Sequence, residues 1–373
     1  MNLSPSKSLF AGLIVLIFSF GNAYASQITV SSDPNRVAQY TNLQTAFDAA
    51  SNGDTLLVYG SVTSYGNLSM YKPMVLVGEG YNSTLGLVTT VGTLTVSNFN
   101  STLGSSNSTI MGLNISTVSF VPYFTGSSPA NQVLDNITFL RNQISVINFN
   151  SGSTVDTYSN ISFVNCHLYS SMSFESYSYA DSEDITFSNC IFGGFIIYGS
   201  MLRTSGVLTQ FQDLSNVKIY NSLFLNYETG LLSGVVGLVL EDNIFVGHEL
   251  YNADYAQITW NNNLFYLIDQ LPLGANDNVG SGNLLNTNPL FTNYPATPAD
   301  ASYAHDYTLK PGSPALTASA TLGEIGIFGG AYPYDFGATP PVPKITEITI
   351  QDGTSSVPVG GTINFNFKAQ SGN

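Results

Sequence analysis

Asp181 and Asp213, with Asp156 and Glu183 in the same stretch of chain, are the residues whose type and spacing could do chemistry here. Two carboxylates about 5–5.5 Å apart are what a retaining glycosidase uses, one as nucleophile and one as acid/base. The four together offer the several oxygen ligands that Ca²⁺ prefers, and Ca²⁺ is the one cofactor the pattern suggests. A solvated acidic edge explains them equally well and is the preferred explanation. Tyr177, Tyr179, Tyr198 and Arg203 form a second set. Flat rings beside polar groups suit sugar binding, through apolar contact plus directed hydrogen bonds. Against this, the chain has 22 Tyr, so any loop contains some. His167, His248 and His305 form no close pair. Cys166 and Cys190 are either a disulfide or a pair of free inward thiols, and free thiols are preferred.

The composition narrows the partners. Of 373 residues only 9% are charged, with 9 Lys+Arg against 24 Asp+Glu and a net charge of −15. Nucleic acid and anionic lipid need basic patches, so both are argued against. No apolar run of about 18 residues or more exists outside the first 25 positions, so no transmembrane segment is expected in the mature chain. Uncharged polarity replaces charge.

These side chains can meet only if a repeating framework brings them together. Short apolar segments recur at Asn136 (NITFLRNQI), Asn160 (NISFVNCHL), Asp184 (DITFSNCIF), Asn216 (NVKIYNSLF), Gly237 (GLVLEDNIF) and Gln257 (QITWNNNLF), spaced by 24, 24, 32, 21 and 20 residues. Apolar residues at the second and fourth places alternate with polar ones, which in a strand sends both to one face. Such a unit fits one coil of an all-β solenoid, each coil pairing in parallel with the next about 4.8 Å away. Like residues then stack. Asn and Asp at the sixth and seventh places tolerate a left-handed corner and can bond the amide above and below. Counting back three places from the repeat starts puts Asp181 and Asp213 on adjacent coils. The 32-residue interval places an insertion within 192–213, and solenoid insertions emerge on one face, often the binding face.

At this point the chain resembles the right-handed parallel β-helix proteins of the pectin-lyase-like superfamily, over most of residues 38–335. YTNLQTAFDAASNGDTLLVYGSV (40–62) is similar to the family's capping helix and first turn, and YTLKPGSPALTASATLGEIGIFGGAYPY (307–334) to its closing segment. The right hand of the coil is implied by the resemblance alone. In the superfamily's lyases a Lys or Arg abstracts a proton while Ca²⁺ neutralises a uronate. Its hydrolases carry Asn-Thr-Asp and Asp-Asp strings with a His and an Arg-x-Lys. None of these signatures is present, so no catalytic residue carries over.

The expected organisation is a secretory signal over 1–25, a β-helix domain over 26–335 with a capping helix near 42–50, a Pro-rich linker over 336–344, and a tail over 345–373. The signal rests on Lys7, the apolar stretch Leu9–Phe20 and Ala23-Tyr24-Ala25. The tail is two alternating strands, a hairpin or the start of a β-sandwich module that pairs with another β element. The functional expectation is a secreted or cell-surface protein that recognises carbohydrate without catalysis, in adhesion. A polysaccharide lyase or glycoside hydrolase on the same scaffold is the alternative, and a structural stalk the second.

Overall fold

The computed structural model describes residues 25–84, 86–98, 104–121, 133–150, 157–175, 182–199, 202–204, 207–210, 212–225, 231–247, 255–268, 277–321, 323–335, 344–350 and 365–370. The expected secretory signal, apart from its last residue, and most of the expected linker lie outside these. The repeat folds as a parallel β-solenoid. One sheet contains eleven strands, from Gln27–Val30 through Val133–Leu140, Thr157–Val164 and Ser182–Ser188 to Val279–Ser281. The second runs from Leu68–Met70 through Gln143–Asn150 and His167–Glu175 to Leu264–Tyr266. Each coil thus contributes one strand to each sheet, and like positions pair: Ile137 with Ile161 with Ile185, and Phe139 with Phe163 with Phe187.

The interior is a set of ring columns. Phe139 stacks on Phe163 at 4.8 Å and Phe163 on Phe187 at 4.6 Å, their planes nearly parallel. Phe120, Phe149 and Phe174 form a second column at 4.6 and 4.7 Å. Phe192, Phe224, Phe245 and Phe265 form a third at 4.4, 4.4 and 5.1 Å. These separations match the strand spacing, because the ladder itself sets the ring-to-ring distance.

Two positions of the repeat recur in the left-handed region, one between strands and one that in the earlier coils falls within a strand of the first sheet. The sixth place of each repeat has positive φ at Arg141, Asn165, Asn189, Asn221, Asp242 and Asn262. So does the first place at Asn136, Asn160, Asp184 and Gln257. Asn and Asp tolerate this region better than most residues, which accounts for the chain's richness in them. The seventh place forms the amide ladder inside the coil. Asn243 Nδ2 donates to Asn263 Oδ1 at 3.1 Å and Asn263 Nδ2 to Asn283 Oδ1 at 3.3 Å, while the same amides reach the Ile219 and Leu240 carbonyls. The sixth-place side chains were expected to join this ladder and do not; their role appears below.

The N-terminal end is closed by the helix Leu43–Ala49, which buries Leu43, Ala46 and Phe47 on the stack. Asn42 caps it, accepting the Thr45 N–H at 2.9 Å. At its other end Lys72 Nζ donates to the Asp48 and Ala50 carbonyls at 3.1 and 2.6 Å. Asn42→Ala is expected to cost about 1 kcal/mol in denaturant unfolding, and a loss below a few tenths would mean the cap adds nothing. Strands Lys344–Ile350 and Phe365–Gln370 pair antiparallel.

Candidate functional site

Alternation breaks down in the later coils, and the site begins there. Leu223-Phe224-Leu225, Ile244-Phe245-Val246 and Leu264-Phe265-Tyr266 are apolar at every position. A strand apolar on both faces needs cover on both. The inward rings are the Phe column; the outward Leu223, Leu225, Ile244, Val246 and Leu264 pack under Phe291 and under Tyr307, Ala315, Ile325, Ile327 and Tyr334 of the closing segment. That segment is a strap over the outer face of the second sheet.

The sixth-place corner residues hold the strap in place. Asp242 receives the Gly326 N–H on its carbonyl at 2.8 Å and the Ser319 hydroxyl on Oδ2 at 2.7 Å. Asn189 Nδ2 donates to the Ile327 and Gly329 carbonyls at 2.9 and 2.7 Å. Asn165 bonds the Tyr332 carbonyl at 2.8 Å and the Asp335 N–H at 2.9 Å, and Arg141 pairs with Asp335 at 3.0 Å. A Cβ at Gly329 would collide with the Glu324 carbonyl and stand 2.7 Å from Asn221 Nδ2, so the strap lies too close to the corner column for a side chain there. The side chains point outward because the left-handed backbone turns them away from the interior.

Over the outer face of the second sheet the strap packs on the later coils, while along the corners it reaches back to Asn165, Arg141 and Tyr81. On the earlier coils the outer face of the second sheet is open. One register column runs Thr93, Thr117, Val146, Ser171, Ile196, and the next Thr95, Ser119, Asn148, Ser173, Tyr198. A third runs Asn114, Gln143, His167 and then Ile191, where polar gives way to apolar. Hydroxyls, amides and one imidazole dominate, and no carboxylate or cation occurs at these positions. Tyr198, 42% exposed, closes the face at one end.

Where open and covered halves meet, His167, Ile191, Ala301, Ser302, Tyr303, Tyr307 and Tyr334 enclose a recess of about 250 Å³ including its mouth. Tyr303 reaches across to donate to Gln143 Oε1 at 3.3 Å, and its ring lies 6.5 Å from that of Tyr81. The Tyr307 hydroxyl accepts the Ser302 N–H at 3.0 Å and meets His305 Nδ1 at 3.1 Å. Below, the buried Tyr81 and Tyr334 hydroxyls bond at 2.7 Å. Burial pulls the His167 imidazole down to about 4 and pushes the Tyr303 phenol up to about 12. At neutral pH both are therefore uncharged: the recess offers hydrogen bonds and aromatic surface, and no ion.

The sequence candidates fare unevenly. Asp156, Asp181, Tyr177 and Tyr179 lie outside the described residues. Glu183 pairs in register with Ser159, and Arg203 with Leu208 in the antiparallel hairpin of Leu202–Thr204 and Val207–Gln210 that the insertion forms. Asp213 pairs with Val236 in a separate three-stranded sheet, and its exposed carboxylate accepts the Ser215 N–H at 2.9 Å, an ordinary turn bond. Cys166 and Cys190 are free and buried, their thiols directed at the Phe139 and Phe163 carbonyls at 3.5 and 3.4 Å. Among the described residues no three His, Cys, Asp or Glu are grouped to hold a metal ion. Tyr198 sits exposed on the open face, in register with Ser173. The recess was not foreseen. Its signal was the loss of alternation after Ile191, which implies a cover, and the Tyr-rich closing segment, which supplies one.

No protein-family model matches the chain, and no curated protein does. Solved structures similar to it include the alginate lyase from Paenibacillus sp. str. FPU-7, 15% identical with a TM-score of 0.31, covering 73% of this chain and 96% of that one. A pectin methylesterase from Aspergillus niger is 15% identical with a TM-score of 0.29, over 81% and 95%. A Bacillus subtilis pectate lyase variant is 12% identical with a TM-score of 0.28, over 83% and 88%. At this distance the chemistry has to be read from the chain's own residues.

Proposed function

We propose that the protein is a secreted or cell-surface β-solenoid that binds an uncharged polysaccharide along the open half of its second sheet, as an adhesion element, and does not turn it over. The observation that carries this is the open face itself: hydroxyls, amides and an imidazole in register on successive coils, with the Tyr198 ring at one end and no ionised side chain at the positions named. Such a surface hydrogen-bonds sugar hydroxyls and stacks on ring faces. A net charge of −15 works against a polyuronate. The apolar leader supports export, and no helix among the described residues is long and apolar enough to cross a membrane.

The alternative, a lyase or glycoside hydrolase, needs paired ionisable groups within reach of one bond. The open face has none at the positions named, and Asp213 is engaged in its own turn. Affinity electrophoresis in soluble polysaccharides, with reducing-end and unsaturated-product assays alongside, tests the proposal. Retardation by a neutral polymer without product is expected, and Tyr198→Ala should weaken it about fivefold through the lost ring contact. Product release that disappears in Asp181→Ala or Asp213→Ala would establish the enzyme instead.

A further inference from the structure

We propose that the recess at His167 is the selectivity subsite of the open face, and that it takes the exocyclic hydroxymethyl arm of an uncharged hexose. This rests on the glycan-binding function proposed above and names the sugar class it selects.

The size of the recess limits what can enter. Its enclosed depth takes a group about the size of one water, too little for a sugar ring and enough for the terminal hydroxyl of a one-carbon arm whose methylene lies at the mouth. The walls have two characters. Ile191 and Ala301 present apolar surface to a methylene, while Ser302, Tyr303 and His167 present polar atoms to a hydroxyl. Neither His167 ring nitrogen has a hydrogen-bond partner among the described residues, and burial alone accounts for its low basicity. A neutral imidazole has one donor and one acceptor, and a primary hydroxyl satisfies either.

The same features exclude two relatives of a hexose. A uronic acid carries a carboxylate in place of that hydroxyl, and no cation among the lining residues would offset its desolvation. A pentose has no arm at all and leaves His167 unpaired. A site built to hydrogen-bond a hydroxyl discriminates strongly against the analogue that lacks it.

Binding is measured at neutral pH by affinity electrophoresis with a mixed-linkage β-glucan, a galactomannan, a linear xylan and polygalacturonate. The wild type should bind the glucan or the galactomannan at least about tenfold more tightly than xylan, and should not be retarded by polygalacturonate. His167→Leu should bring hexose polymer and xylan to within about twofold of each other. His167→Gln, which keeps a donor and an acceptor, should retain most of the preference, so that loss of packing and loss of the hydrogen bond are told apart. Circular dichroism confirms that each variant is folded. Equal binding of glucan, galactomannan and xylan by the wild type, or a preference that survives in His167→Leu, overturns the subsite and leaves the open-face function standing. Failure to bind any neutral polymer removes that function and the subsite with it. Tightest binding to polygalacturonate overturns both.

Discussion

Phe163→Ala is expected to destabilise the solenoid by about 4 kcal/mol, the largest effect of any single substitution considered. Phe163 is fully buried and lies between Phe139 at 4.8 Å and Phe187 at 4.6 Å. Its strand pairs in parallel on both sides, with Val133–Leu140 and Ser182–Ser188. Those ladders hold the two flanking rings at the strand spacing, so they cannot close over the space an alanine leaves. A cavity that does not collapse adds its own penalty to the lost transfer energy. Phe163→Leu should cost roughly 1–2 kcal/mol, since it returns most of the volume but not the stacking. Urea unfolding of both variants against wild type checks this. Because coils contact mainly their neighbours, amide protection should fall first in the two adjacent coils. A loss below about 1 kcal/mol for the alanine would show that the columns are not packed as described.

Acidification should bring the second largest effect. Burial holds the His167 imidazole at about 4 in the folded protein, against an ordinary value of 6.5. Between these values the unfolded chain takes up a proton that the folded one does not. Stability is therefore complete above pH 6.5 and is lost progressively as the pH falls to about 4. The difference is worth about 3 kcal/mol, at about 1.4 kcal/mol per pH unit. Glu241, Asp242 and Glu324, raised chiefly by burial, act in the opposite sense as the pH falls through their own titration range. For an acid so raised, the folded state is the one that holds the proton, and acidification through that range restores stability. Denaturant unfolding at a series of pH values resolves the two. His167→Gln should abolish the decline between pH 6.5 and about 4 and leave the opposing carboxylate contribution unchanged. A parallel decline in wild type and variant would assign the acid sensitivity elsewhere.

The two predictions rest on features with different visibility in the chain. The Phe column was legible at once, because a solenoid coil repeats its own strand pattern and like residues recur at near-constant spacing. The helix Leu43–Ala49 was legible for a similar reason, its apolar face and its Asn42 cap being local. The corner residues were half legible. Their left-handed backbone follows from residue type, but Asn165, Asn189 and Asp242 bond a strap whose contacting segment lies 77 to 170 residues further on. No local pattern announces so distant a partner. The recess was least legible, since Gln143, His167 and Tyr303 have nothing in common along the chain.

Along the chain, then, the repeat and its alternation determined the all-β solenoid, the inward columns, the corner positions and the helix that closes one end. These follow from periodicity and local backbone preference, which act over one coil. Only the tertiary structure decided which outward faces are covered and which are open, where the closing strap runs, and that a histidine and a tyrosine 136 residues apart in number share one recess. That choice depends on the return path of a long segment over a surface built by many coils. Its energy lies in contacts that exist only after the solenoid has formed.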